Sequence, residues 1–85
     1  MLATMENVQQ LTVEINTLSA EIYRLSVQLH NLEVDRIYNG RSTMHNERDL
    51  MHRIHQADKD RHSLRTQRGM TLKAMRDNQL NLLGE

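Results

Sequence analysis

Residues 8–32 read VQQLTVEINTLSAEIYRLSVQLHNL, and the spacing of aliphatic side chains in this stretch decides the fold. Counted in sevens from Val8, position a is Val8, Ile15, Ile22 and Leu29, and position d is Leu11, Leu18, Leu25 and Leu32. All eight are aliphatic over four heptads. That is the pattern of a helix whose apolar stripe stays against a second helix as the two supercoil. β-Branched residues at a with leucine at d suit a parallel two-stranded coil, so side-by-side pairing of two chains is one packing this stretch allows. The pattern ends at Arg36 and Asn39, where a and d turn polar, and Gly40 is a natural left-handed helix terminator.

Beyond the turn, Ser42 or Thr43 can cap a second helix. No glycine interrupts it before Gly69, which costs roughly 1 kcal/mol relative to alanine in a helix interior and marks a place for a weakness or bend. The expected organisation is one domain over 1–85: a helix over about 5–38, a turn at 39–42, and a helix over about 43–83.

In an antiparallel hairpin the numbers of facing residues add to a constant. Leu32 with Leu50, Leu25 with Ala57, and Leu18 with Leu64 add to 82; Leu29 with Ile54 and Val8 with Met75 add to 83. The midpoint falls near residue 41, inside the turn. The same register would bring together Glu6 and Arg76, Glu14 and Arg68, Glu21 and Arg61, Arg24 and Asp58, and Asp35 and Arg48. Exposed pairs of this kind contribute only about 0–1 kcal/mol each, but they specify orientation. Arg61 and Arg68 fall in the seam itself, with their stems along the aliphatics and their heads towards Glu21 and Glu14. The fold expected is therefore all-α: an antiparallel two-helix coiled-coil hairpin. Its seam is too thin for a chain of this length, and dimerisation into a four-helix bundle would supply the missing burial.

Composition supports the helical reading. The 85 residues include no Pro, Cys, Phe or Trp, and only two Tyr. A seam of aliphatics fits this better than a globular core built on aromatic bulk. Without cysteine there is no disulfide framework and no thiolate zinc site. No run of 18 apolar residues is present, so no membrane helix is expected, and nothing at the N-terminus reads as a secretory signal. The net charge is zero but uneven. Residues 1–40 hold two arginines against five acids, and residues 41–85 hold nine Lys and Arg against six acids, which favours pairing of the two halves.

Two surfaces stand out as candidates for a partner. The f positions of the first helix, nearly opposite its seam, are Val13, Ala20, Val27 and Val34, where an exposed helix would carry charge. Tyr23 and Ile37 extend this stripe, and the e positions Thr12, Ser19 and Ser26 are small enough for close approach. On the second helix, His45, His52, His55 and His62 share one sector about 100° wide, together with Met44, Arg48, Met51 and Lys59, and with Met70 and Lys73 beyond them. Methionine adapts to irregular partner surfaces. His52 and His55 are spaced for one metal, yet no third ligand joins them, so no metal or other cofactor is expected. No phosphate loop, nucleophile elbow or paired-carboxylate motif is present, so no catalysis is expected.

These readings point to a non-enzymatic module that binds a larger protein and regulates or inhibits it, acting as a homo-oligomer in the cytoplasm. The Cys-free, Pro-free, Met-rich composition has the look of a small phage or bacterial accessory protein. One alternative is a purely structural parallel coiled-coil dimer. Another is weak nucleic-acid binding through the basic face of the second helix, which a neutral net charge and interspersed acids disfavour.

Overall fold

The computed structural model describes residues 4–84, with side chains to residue 78; the ends of the expected domain, 1–3 and 85, lie outside the described residues. Two helices make up the architecture, α1 over Met5–Asn39 and α2 over Met44–Gly84. They pair antiparallel in an extended hairpin measuring 70 × 17 × 14 Å. At 1.5 Å per residue, helices of this length are about 50–60 Å long, so the long dimension is little more than that of α2 itself.

The start of α1 is set by Thr4, whose Oγ1 accepts a hydrogen bond from the Asn7 backbone N–H at 3.2 Å. Its end is set by Gly40, which adopts the left-handed conformation at φ 67°. A side chain at Cβ would strain that conformation, and a glycine there costs least. The Arg41 N–H returns to the Asp35 carbonyl at 3.3 Å, satisfying one of the carbonyls left free where the helix stops. α2 runs through Gly69 as one continuous helix, and a methyl group added at Gly69 would meet nothing within 4 Å.

The core is a single stripe. Val8, Ile15 and Leu25 of α1 and Leu50 and Ala57 of α2 are buried. Leu11, Leu18, Ile22, Leu29 and Leu32 are half-buried alongside them, as are Ile54, Leu64 and Met75 on α2. α2 has a heptad stripe of its own. Glu47, Leu50, Ile54, Ala57, Arg61, Leu64, Arg68, Thr71 and Met75, spaced alternately three and four apart, are all buried or half-buried. Four of these nine are polar, which hides the period in the sequence.

The closed end of the hairpin is tied by one carboxylate. Glu47 is 5% exposed, and its Oε2 accepts a hydrogen bond from Arg36 Nε at 2.9 Å and another from the Thr43 hydroxyl at 2.7 Å. The Thr43 hydroxyl also lies 3.2 Å from the Leu32 carbonyl. Arg36 therefore continues the seam rather than ending it. The expected Asp35–Arg48 pair is replaced by Arg36–Glu47, which keeps the same sum of 83 but lies one step round on both helices.

The other expected cross-helix ion pairs do not form. Among the described residues, Glu21 pairs with Arg24 at 3.5 Å and Asp58 with Arg61 at 2.6 Å, each within its own helix. Arg61 Nη1 donates to Ser19 Oγ at 3.2 Å, and Arg68 Nη1 donates to Thr12 Oγ1 at 3.3 Å. The reason is azimuthal. Glu14 and Glu21 occupy g positions on one flank of the seam, whereas Thr12 and Ser19 occupy e positions on the other, and both arginines leave the seam on the e side. The contacts sum to 80, close to the register expected from the aliphatic match.

The Arg36 hydrogen bond, followed by that of Thr43, holds the Glu47 carboxyl below its ordinary value of 4.5, against the opposing effect of burial. A carboxyl whose folded pKa is depressed contributes stability that is fully present above its unfolded pKa. That contribution is lost as pH falls through the lowered folded value. Thermal unfolding followed between about pH 6 and about pH 2 should show a drop in midpoint that is smaller in Glu47→Gln; an equal drop in the variant would remove this account of the clamp.

Candidate functional site

An antiparallel helix pair has two lateral grooves and two outer faces, and the candidate residues divide among them. On the outer face of α1, Val13 is 59% exposed, Val27 42% and Tyr23 73%. Ala20 and Ile37 are also exposed, and Val34 is half-buried. α2 therefore leaves this stripe largely uncovered. Exposed valines scattered singly are ordinary, but here Val13, Ala20 and Val27 follow at seven-residue intervals on a helix whose other apolar stripe is already occupied.

Met44, Arg48, Met51, His52, His55, Lys59 and His62 are all exposed on α2. They lie on a different side of the hairpin from the valine stripe, so the two candidate surfaces are separate. Met51, His52 and His55 form one wall of an open groove whose floor is Ile22, Leu29 and Ile54, with Ser26 and Asp58 at its edges. The small Ser26 side chain turns back to the Ile22 carbonyl at 2.7 Å, leaving that side of the groove low. A neighbouring depression on α2 is lined by His55, Lys59, His62 and Arg65 around the Asp58–Arg61 pair.

The opposite groove has a different character. It runs past Leu18 and Leu64 between Glu14 and Asp60, and continues past Leu11 to Met70 and Thr71. Its rim carries Glu14 and Asp60, whereas the histidine groove carries Asp58 at its edge and the nearby cations Lys59, Arg61 and Arg65 lie in the adjoining depression. The e-position hydroxyls are functional in the packing sense. Thr12 Oγ1 donates to the Val8 carbonyl at 2.8 Å while accepting from Arg68, so one hydroxyl joins the backbone of α1 to the side chain of α2. Sequence reasoning noted these residues only for their small size.

Among the described residues no group of three or more His, Asp or Glu side chains is arranged to hold a metal ion. No helix there is long and apolar enough to cross a membrane. Both lateral grooves are open to water. No known protein family, curated protein or solved structure matches this sequence.

Arg61 is the least comfortable group in the seam. Its Nε is buried without a hydrogen-bond partner. Its partner Asp58 is well exposed and loses little by being released to water. Arg61→Met, which keeps the apolar stem and removes the charge, should therefore stabilise the hairpin by about 1 kcal/mol in chemical denaturation. A loss of that size instead would mean that the Ser19 contact outweighs the desolvated guanidinium.

Proposed function

We propose that this chain is a non-enzymatic interaction module: a helical hairpin that associates through the outer face of α1 and presents the Met/His/Arg flank of α2 to a larger protein. One observation carries the reading. The a and d stripe of α1 is already filled by α2, yet Val13, Ala20 and Val27 remain exposed on the far side. A helix face that is apolar in register and has nothing against it is the usual signature of a contact surface.

The flank of α2 fits a different kind of contact. Met44 and Met51 offer adaptable apolar area, while Arg48 and Lys59 suit an acidic protein surface. The outcome proposed is regulation or inhibition of the larger protein in the cytoplasm, that of the host cell if the chain is viral. A parallel zipper through the a and d positions is the less economical reading, because it would have to displace α2 from the same side chains.

Val27→Glu places a charge in the middle of the outer stripe without touching the seam. Helical content by circular dichroism should stay close to that of the parent, while self-association by sedimentation, or capture of a host protein by the tagged chain, should be lost. Unchanged association in both assays would remove the stripe as a contact surface.

A further inference from the structure

In sequence the acids of α2 alternate with its cations, but the fold separates them. Between residues 59 and 76 the chain carries Lys59, Arg61, Arg65, Arg68, Lys73 and Arg76 against a single acid, Asp60. Asp60 sits with Glu14 on the rim of the groove past Leu18 and Leu64, and accepts a hydrogen bond from Gln56. The cations go the other way. Lys59, Arg61 and Arg65 line one depression together. Arg68 leaves the seam on the same side as Arg61, towards the e-position hydroxyls of α1. Lys73 stands two heptads after Lys59, and Arg76 two heptads after His62, so both repeat azimuths that already belong to this face. Asp58, just before the row, is paired with Arg61 at 2.6 Å.

Two further observations fall on the same face. Lys59, Arg65, Lys73 and Arg76 are exposed, and among the described residues none of them enters an ion pair. Gly69 is exposed between Arg65 and Lys73, one turn from each. A Cβ there would meet nothing within 4 Å, so the hairpin does not require a glycine that weakens the helix interior. What the missing side chain provides is a low point in the middle of the cations, where another molecule can approach the α2 backbone closely.

We propose that residues 59–76 of α2 bind the phosphate backbone of duplex DNA. The proposal goes beyond the protein-binding reading, which it leaves to the outer stripe of α1 and the Met44 end of α2. A row about 25 Å long, cationic along one side of a helix, is the footprint of phosphate contact. A single strand is held by stacking its bases on aromatic rings, and the chain's aromatics are Tyr23 and Tyr38, both on α1. The wide major groove of B-form DNA admits an α-helix, whereas the deep, narrow groove of duplex RNA does not. The neutral net charge does not cancel the attraction. The Glu14 and Asp60 rim lies on the other side of a hairpin 17 × 14 Å in cross-section, beyond the screening length of about 8 Å at physiological salt.

Fluorescence anisotropy of a labelled random-sequence DNA duplex, titrated with the full chain, tests this. Affinity should fall with a log–log salt slope of about −4 to −5, the value for four to six neutralised phosphates. The Arg65→Gln/Lys73→Gln chain should bind roughly tenfold more weakly at low salt, with a slope shallower by about two. Arg53→Gln, which removes a cation from the g flank of α2, should change neither quantity. Gly69→Leu should weaken binding while the thermal midpoint holds or rises, an outcome that a purely structural glycine would not give.

No binding at about 20 mM salt would overturn the proposal. So would an equal loss in Arg53→Gln, or tighter binding to single strands or duplex RNA than to duplex DNA. Binding to poly-glutamate without binding to the duplex would assign the row to an acidic protein instead, and binding only to phosphatidylserine vesicles would assign it to a membrane surface. Each of these results leaves the association of Val27→Glu to its own test, so the module reading stands or falls separately.

Discussion

The carboxylate of Glu47 is the point at which the two helices are indexed against each other. It sits one turn into α2, buried, with the guanidinium of Arg36 from α1 and the hydroxyl of Thr43 from the link both directed at the same oxygen. A buried carboxylate that lost these partners would be left uncompensated at considerable cost, so the clamp penalises any slip of the closed end. Gly40 reverses the chain just before it, in a conformation that residues with a Cβ rarely adopt. Once that end is fixed, every later pairing along the hairpin follows by counting. That register sets Arg61 level with Ile22 and Arg68 level with Ile15, and their guanidiniums reach along the e side of α1 to Ser19 and Thr12.

The middle of the hairpin is a compromise between this register and the sequence of α2. Leu50, Ile54 and Ala57 near the turn and Met75 far from it are apolar, but Arg61, Arg68 and Thr71 interrupt the stripe between them. The interruption is handled by polar residues at matching heights on α1. Thr12 and Ser19 accept hydrogen bonds from the arginine N–H groups, and the Thr12 hydroxyl donates one to the Val8 carbonyl. What these contacts contribute is alignment rather than burial. The burial they displace leaves few fully enclosed side chains, with Leu25 at 1% exposure the deepest of them. A hairpin so lightly cored gains more from covering a second face than a globular domain would, which is why the uncharged outer side of α1 carries the functional reading.

Much of the fold was legible in the residues. Eight aliphatics at 3.5-residue spacing identify α1, Asn39-Gly40 marks the reversal, and the sums of 82 and 83 give the antiparallel alignment. The polar detail was not legible, for a physical reason. Facing-residue sums give axial height but not the side of the helix from which a long side chain leaves. Glu14 and Glu21 are at the right height for Arg68 and Arg61 but on the wrong flank, and short hydroxyls on the correct flank take their place. Arg36 and Glu47 were missed because a charged pair in a heptad stripe reads as the end of the stripe. Their equal and opposite charges at a sum of 83 were the available signal. The exposure of the valine stripe follows from the single fact that α2 takes the opposite face of α1.

Everything above depends on α1 and α2 of the same chain being partners. A Val8→Cys/Met75→Cys chain, oxidised at low concentration and run under denaturing conditions, tests that directly. Closure within one chain, with the mass of a monomer and faster migration than the reduced form, is the predicted result. A failure to close, together with efficient linking of two chains by a lone Leu25→Cys, would mean that the leucines of α1 meet their own copies in a parallel zipper and that the hairpin is wrong.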